Sequence, residues 1–181
     1  DEYLSGGWTN KNNKKIKKFG IIKDIDKFNF KKCNKIYSAA YFLRSRPKFV
    51  HRIESTVGSN QMSKYYLNCL SFFKHKEKIN MKLKITPRFH EAMYEWNHIE
   101  IWDKKFDPII EKKFTYDEKL NEVYKNYDII IYSYIGTGFL ESLAVDKPFI
   151  LISSLKDWPL RADVIKDFNN LKKAKIFFDN N

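Results

Sequence analysis

The run Asp128–Tyr132 constrains the fold of this chain more than any other segment. Its three consecutive isoleucines make both faces of the predicted strand apolar, as in strands that lie inside a parallel sheet covered by helices. Ile36–Leu43 and Pro148–Ser153 are apolar runs of the same kind. Because segments with helical periodicity separate these runs, the sequence predicts an α/β domain with a Rossmann-like parallel sheet and helices on both faces.

The segments between the strands repeat their apolar residues every three or four positions, which is typical of amphipathic helices. In the first of them, Met62, Tyr65, Cys69 and Phe73 fall on one face. The predicted helices are Ser59–Lys76, Phe89–Trp96, Tyr116–Tyr127, Gly138–Val145 and Trp158–Lys172. The remaining predicted strands are Met81–Thr86, which Pro87 and Arg88 end, Ile99–Trp102 and Lys175–Phe178.

The length of 181 residues accommodates one domain with a full core and is too short for two ordinary ones. We interpret residues 1–18 as a linker or loop that leads into a nucleotide-donor-binding domain spanning residues 19–181. The chain begins with Asp1 rather than Met and continues in polar residues. We therefore expect it to be part of a longer protein.

The formal net charge of +12 invites a nucleic-acid interpretation, but the kind of positive charge argues against it. Only five of the 34 basic residues are arginines, and the lysines are scattered. The chain is also rich in Asn, Ile, Phe and Tyr, whose codons are rich in A and T, so base composition accounts for the lysines. We expect no nucleic-acid partner, while peripheral contact with anionic lipid headgroups stays open.

Cysteine, histidine and hydropathy patterns exclude other classes of site. Cys33 and Cys69 are far apart and are expected to be reduced thiols. The four histidines lack ligand spacing, so no metal site is predicted. No apolar run reaches the roughly 18 residues that a membrane span needs. We expect a cytoplasmic protein, with the inner face of the membrane as an alternative location.

A glycine-containing turn follows the strand Asp128–Tyr132 and precedes a predicted helix. Gly136 and Gly138 allow the backbone to approach an anion closely, and the helix that follows directs free N–H groups towards it. Thr137 adds a hydroxyl, and Glu141 lies about one turn into the helix, where a carboxylate can accept hydrogen bonds from ribose hydroxyls. The turn therefore suggests a phosphate site, although glycines that only permit tight packing would give the same pattern.

Four of the five arginines come just after predicted strands. Arg44 and Arg46 follow Ile36–Leu43, Arg88 follows the next strand, and Arg161 follows Pro148–Ser153. Ligands of parallel sheets bind outside the carboxyl ends of the strands, and the arginine fork binds phosphate oxygens in pairs. We interpret the set as candidate phosphate contacts, with surface arginines as the alternative for each one alone.

The unit Gly136-Thr137…Glu141-Ser-Leu-Ala…Pro148 resembles a segment in the C-terminal domain of GT-B glycosyltransferases. Over residues 8–178 the chain is also similar to bacterial surface-polysaccharide transferases of uncharacterised activity. Many of these have Ser-Thr-Thr or Gly-Thr-Thr where this chain has Gly136-Thr137-Gly138, which leaves Thr137 as the one hydroxyl of the turn. The motifs that carry the wider similarity are Lys15–Gly20, Phe42–Pro47, Asn60-Gln61, Tyr65-Tyr66, Lys82–Ile85 with Arg88, and Trp158–Arg161.

The resemblance implies the C-terminal half of a GT-B fold. Its substrate would be a nucleotide-sugar donor, with no separate cofactor, and its acceptor a surface polysaccharide or glycolipid. The missing N-terminal domain of the same chain would supply the acceptor side, so the chain alone is not expected to catalyse. The implied donor-binding residues are Gly136, Thr137, Gly138, Glu141 and Arg161, and the implied catalytic charge stabilisers are Arg44, Arg46 and Arg88.

Other interpretations of the same residues remain. On the same fold, the chain could belong to a polyol-phosphate transferase or a sugar-nucleotide epimerase, although no convincing pair of acidic residues supports an epimerase. A binding module that kept the fold without the chemistry is the rival from another class. Asn60 and Gln61 are most simply a helix cap and a first-turn residue, and Trp158 is expected to pack rather than to bind a ligand.

Overall fold

The computed structural model describes residues 3–5, 12–18, 37–44, 59–78, 83–89, 113–114 and 119–180. Its main body is a six-stranded sheet in which every neighbouring pair of strands is parallel. The strands are β1 (Tyr3–Ser5), β2 (Ile16–Lys18), β3 (Tyr37–Leu43), β4 (Leu83–Phe89), β5 (Lys113–Phe114), β6 (Ile129–Tyr132), β7 (Phe149–Ser153) and β8 (Phe177–Asp179). The helices are α1 (Ser59–Lys78), α2 (Leu120–Asn126), α3 (Thr137–Ala144) and α4 (Ile165–Lys173), the last preceded by a 3-10 turn at Ala162–Val164.

The strand order of the sheet is β5-β4-β3-β6-β7-β8. The chain starts in the centre with β3, adds β4 and β5 on one side, then returns to the centre and adds β6, β7 and β8 on the other. This is the order of the Rossmann fold, and it confirms the predicted Rossmann-like α/β class. The direction of winding changes between β3 and β6, and that position is where ligands bind in sheets of this kind.

Helices cover the sheet on both faces, as the apolar strands require. On one face, α1 packs Cys69, Leu70 and Phe73 against Tyr41 and Ile85 of the sheet. The other face carries α2, α3 and α4, and its buried residues include Val123, Tyr124, Ile130, Tyr132, Phe139, Leu151, Phe168 and Phe177. Burial of such large apolar and aromatic side chains, at roughly 1.5–3 kcal/mol each, provides the main stabilisation of the layers.

Most predicted elements appear with shifts of one or two residues at their ends. The helix predicted over Tyr116–Tyr127 is confirmed only from Leu120 to Asn126, and residues 115–118 lie outside the described part of the chain. The predicted strand Ile99–Trp102 and the helix predicted over Phe89–Trp96, apart from Phe89 itself, also lie outside it.

The prediction that Pro87 and Arg88 end a strand is wrong, because β4 continues through both residues to Phe89. At Pro87 the strand pairs with Tyr41 of β3, whereas β5 pairs only with Arg88 and Phe89. Proline has no N–H to donate to a neighbouring strand. It is tolerated at a position such as Pro87, where only one side of the strand has a described partner.

The predicted start of the last helix at Trp158 is also wrong. The chain turns at Ser154–Trp158, is extended at Arg161, and becomes α-helical only from Ile165. Pro159 keeps a helix from starting at Trp158, because proline disfavours the helical conformation of the residue before it.

The first 18 residues contain two short strands where a loop was predicted. β1 and β2 pair in parallel, with Tyr3 opposite Ile16 and Ser5 opposite Lys18. The division of the chain at residue 18 stays a prediction. Within the described segments, no helix combines the length and apolarity that crossing a membrane requires.

Candidate functional site at the carboxyl edge of the sheet

Ser133 fastens the carboxyl ends of β3 and β6 to each other. Its backbone N–H and its hydroxyl both donate to the carbonyl oxygen of Phe42, at 3.2 and 2.6 Å. Ser133 is the first residue after β6, and Phe42 is the next-to-last residue of β3. The two strands therefore stay joined at the point where the winding changes direction, and the edges of the site are held at a fixed separation.

Tyr65 of α1 extends this connection to the third element at the edge. The backbone N–H of Arg44 donates to the Tyr65 hydroxyl at 2.6 Å, and that hydroxyl lies 2.5 Å from the Ser133 hydroxyl. Because the Ser133 proton goes to Phe42, Tyr65 is the donor towards Ser133. Burial raises the pKa of Tyr65 well above its ordinary value, so the phenol stays protonated and keeps this donor role.

The Arg44 side chain lies between two aromatic rings. Its guanidinium carbon is 4.0 Å from the centroid of a Trp158 ring and 5.6 Å from that of Tyr134. Both distances are within the range of cation–π attraction, which fixes the plane of the guanidinium. Arg44 is half-buried. The structure thus confirms that Arg44 follows β3 at the carboxyl edge, and it shows that Trp158 packs there, as expected, against this arginine.

The glycine turn is connected to Arg44 through Tyr134. Gly136 precedes the first helical residue of α3, and a Cβ atom there would come within 2.6 Å of Cε2 of Tyr134. Tyr134 is also the ring that faces the Arg44 guanidinium. The structure therefore brings Arg44, Gly136 and the N-terminus of α3 to one place, as the sequence predicted from their positions after strands.

Packing accounts for Gly138. A Cβ atom at this position would lie 2.7 Å from Cε1 of the buried Tyr132 ring. The Gly138 carbonyl accepts hydrogen bonds from the hydroxyls of Tyr132, at 2.9 Å, and Tyr124, at 3.2 Å. The alternative interpretation of the glycines, tight packing, is thus satisfied at this residue.

Thr137 and Glu141 occupy the first and second turns of α3. Thr137 is exposed and Glu141 is half-buried. The negative charge of Glu141 is one of the causes that raise the pKa values of Tyr132 and Tyr124, after burial as the main cause. Because both side chains are polar, the face of α3 that begins at the glycine turn is polar.

A cleft opens beside Ser133 along the carboxyl ends of β6, β7 and β8. The cleft is open on one side, and the space of about 290 Å³ between its walls includes bulk solvent. Its lining residues, which define what we call the carboxyl-edge cleft, are Gln61, Tyr65, Asn68, Ser133, Ser153, Ser154, Asp157, Trp158 and Asn180. Trp158 connects this cleft to Arg44, since its ring faces the guanidinium. Asp157, the one acidic residue among the described lining residues, forms an ion pair with Lys64 at 3.4 Å.

Cys69 is not suited to act as a nucleophile. It lies on α1 one turn after Tyr65 and is 3% exposed. Burial raises the pKa of its thiol to about 11, so very little reactive thiolate forms near neutral pH. Cys69 therefore belongs to the packing under the cleft and not to its chemistry.

Arg88 and Arg161 do not share the position of Arg44. Arg88 is completely buried within β4, with its guanidinium carbon 5.9 Å from the Tyr127 ring centroid. Arg161 is exposed, and its guanidinium donates to both carboxylate oxygens of Asp163, at 2.9 and 3.2 Å. Arg46 lies outside the described residues.

Sequence reasoning missed most of the polar residues in the cleft. Ser133 and Ser153 could have been found, because each is a polar residue at the carboxyl end of an apolar strand, the same signal that identified Arg44. Asn180 and Gln61 give no comparable signal. They enter the cleft because two distant segments of the chain meet at this edge.

A parallel sheet in Rossmann order, with an arginine held between aromatic rings and a polar cleft at its carboxyl edge, defines a Rossmann-like α/β domain. The sequence model of a protein family, described as LIC12162 family transferase, matches residues 1–181 of the chain. The chain therefore belongs to this transferase family. No curated protein and no solved structure matches the chain.

Proposed function

We propose that the chain is the donor-binding half of a glycosyltransferase-like enzyme, which moves a sugar from a nucleotide-activated donor to a surface-glycan or glycolipid acceptor. The observation that carries the proposal is the position of Arg44. It lies at the point where the winding of the sheet changes direction, and it is held there by Trp158 and Tyr134. This is the location where nucleotides bind in Rossmann-like sheets.

Arg44 and the N-terminus of α3 together form a suitable place for a diphosphate. The guanidinium offers a fixed positive charge with paired N–H donors. The first turn of α3 offers backbone N–H groups and the positive end of a helix dipole, next to the exposed hydroxyl of Thr137. Two such groups would neutralise the charge that develops on a departing nucleoside diphosphate.

The other candidate residues differ in how directly they would contact the donor. Glu141 lies one turn further along α3, where it would bind ribose hydroxyls. The burial of Arg88 favours a structural role for it, and the Asp163 pair of Arg161 would have to open before Arg161 could bind phosphate. Arg46 stays a prediction. An additional domain of the same protein would bind the acceptor and close over the carboxyl edge.

Calorimetric titration of the chain with UDP, GDP, CDP and dTDP tests the proposal. We expect at least one of the four to bind, and Arg44→Ala to weaken that binding by about tenfold or more, because a paired charge-assisted contact is lost. Glu141→Ala should weaken it as well. Lys166→Ala is the matched control, since it removes one positive charge from an exposed position on α4.

The far-ultraviolet circular dichroism of each variant establishes that the fold is kept. Absence of binding with all four diphosphates would overturn the proposal. Equal affinities for the wild type, Arg44→Ala and Glu141→Ala would overturn it too, because the nucleotide would then bind somewhere else.

A further inference from the structure

Two buried polar atoms of the carboxyl-edge cleft have no hydrogen-bond partner within the described part of the chain. They are the hydroxyl oxygen of Ser153 and the side-chain oxygen of Asn180. Ser153 is 2% exposed, and both residues line the cleft. A buried polar group without a partner is costly, and native proteins keep such groups mostly where a ligand or water completes them. These two atoms therefore point to a ligand.

The backbone holds the two residues side by side. The N–H of Asn180 donates to the carbonyl of Ser153 at 3.2 Å, which continues the pairing of β7 and β8 beyond the end of β8. The residues after Ser153 are also fixed. The Ser154 hydroxyl accepts from the N–H of Asp157 at 3.2 Å, and the N–H of Leu155 donates to the Asp179 carboxylate at 3.1 Å. The unpartnered atoms thus sit on a rigid edge.

The chemistry of the lining selects the class of ligand. Every described residue that lines the cleft carries a hydrogen-bonding side chain, none of these residues is Lys or Arg, and Asp157 contributes a carboxylate. Phosphate would be repelled by Asp157 and finds its charge partner at Arg44 instead. A nucleobase has two apolar faces and prefers aromatic or aliphatic walls. One face of Trp158 already carries the Arg44 guanidinium, and none of the described lining residues is aliphatic.

We propose that the carboxyl-edge cleft binds the sugar of the activated donor, with Ser153 and Asn180 accepting hydrogen bonds from its hydroxyl groups. A sugar presents hydroxyls in several directions, which matches a cleft whose walls are polar all round. Asp157 and the amides of Gln61 and Asn68 would contact further hydroxyls. This inference rests on the proposed function, because it assigns the sugar to the cleft and the diphosphate to Arg44 and α3.

The test compares each free diphosphate with its sugar-linked form in calorimetric titrations of the same chain. The pairs are UDP and UDP-glucose, GDP and GDP-mannose, CDP and CDP-glucose, and dTDP and dTDP-glucose. We expect at least one sugar-linked form to bind about tenfold more tightly than its free diphosphate. Ser153→Ala and Asn180→Ala should remove most of that difference and leave the affinity for the free diphosphate within about twofold.

Ser153→Ala should fold normally, since it removes a buried hydroxyl that has no partner in the described chain, and its melting temperature should equal or exceed that of the wild type. Ser71→Ala, on the exposed face of α1, is the matched control and should change neither affinity.

The outcomes separate this inference from the proposed function. If diphosphates bind but no sugar-linked form binds more tightly, the sugar assignment is wrong and the proposed function stands. The same conclusion follows if Ser153→Ala and Asn180→Ala weaken free and sugar-linked diphosphates equally, because the two residues would then contact the nucleotide. If neither form of any nucleotide binds, both the proposed function and the inference are overturned.

Discussion

Gly138 lies where the first turn of α3 crosses the ring of Tyr132. Alanine would usually stabilise a helix relative to glycine by up to about 1 kcal/mol. At this position, however, the added carbon would lie 2.7 Å from a ring atom of Tyr132, and Tyr132 is held by hydrogen bonds to the Gly138 carbonyl and to Ser142. The ring can therefore move only by breaking those bonds.

We predict that Gly138→Ala lowers the free energy of unfolding by about 1–3 kcal/mol, since overpacking costs more than the helix propensity gains. Urea denaturation followed by circular dichroism measures it. Thr137→Ala, at the exposed neighbouring position, should change stability by less than about 0.5 kcal/mol. An unchanged unfolding midpoint for Gly138→Ala would show that Tyr132 is not fixed in the way described.

Lys147 is a buried cation that caps the C-terminal end of α2. It is 3% exposed, and its ammonium donates to the carbonyl oxygens of Tyr124, at 2.7 Å, and Tyr127. Burial lowers the pKa of Lys147 from 10.5 to about 8, and the nearby Asp128 opposes part of that shift. The folded chain therefore releases this proton at a lower pH than the unfolded chain.

Because burial lowers the folded-state pKa of Lys147, loss of its proton favours the folded state. This contribution is fully present above pH 10.5 and is lost as the pH falls to about 8. We predict that the free energy of unfolding rises by about 1–2 kcal/mol more in the wild type than in Lys147→Met between pH 8 and pH 10. Urea denaturation at several pH values gives the slope of the free energy of unfolding against pH for the wild type and for Lys147→Met. Lys166→Met should follow the wild-type slope, and parallel slopes for the wild type and Lys147→Met would contradict the prediction.

At the scale of elements, Tyr65 connects α1 to both central strands. Its hydroxyl accepts from the backbone of Arg44 after β3 and donates to Ser133 after β6. The chain of hydrogen bonds ends on the carbonyl of Phe42. Removal of the hydroxyl leaves the Arg44 N–H without this acceptor, and buried groups that lose a partner cost more than an average hydrogen bond.

We predict that Tyr65→Phe destabilises the chain by about 1–3 kcal/mol. In a double-mutant cycle, Tyr65→Phe and Ser133→Ala should show a coupling energy of about 0.5–2 kcal/mol, because they share one hydrogen bond. Tyr37→Phe, at a tyrosine that is 44% exposed, is the control and should be close to neutral. Strict additivity of the two substitutions would mean that the connection between α1 and β6 contributes nothing to stability.

The elements themselves were the part of the structure that the sequence predicted best. Strands β3, β6 and β7 were predicted because they are buried on both faces and therefore apolar almost throughout. α1 was predicted from the spacing of Met62, Cys69 and Phe73. The continuation of β4 through Pro87 was missed, since it depends on which neighbours pair with that strand, and a local pattern does not contain that information.

The sequence predicted only those site residues whose location follows from their position after a single strand. Arg44 and Gly136 were expected at the carboxyl edge because each follows an apolar strand, and both lie there. The burial of Arg88 depends on packing across several strands. The contact of Trp158 with Arg44 joins residues more than a hundred positions apart, so the sequence indicated packing for Trp158 without its partner.

At the scale of the whole molecule, the strand order explains why these residues meet. The carboxyl ends of the central strands and the N-termini of α1 and α3 converge at one edge of the sheet, because the winding reverses between β3 and β6. Arg44 and the start of α3 provide positive charge at this edge, and the carboxyl-edge cleft provides neutral and acidic groups. An activated donor would therefore occupy two neighbouring places, with its phosphates at the first and its sugar at the second.

A crystal structure of the chain grown with a saturating concentration of the tightest-binding diphosphate tests this account most directly. We predict diphosphate oxygens within about 3.2 Å of the Arg44 guanidinium nitrogens and of backbone N–H groups in the first turn of α3. Bound diphosphate at another place, with Arg44 still between Trp158 and Tyr134 and no anion at the start of α3, would contradict it.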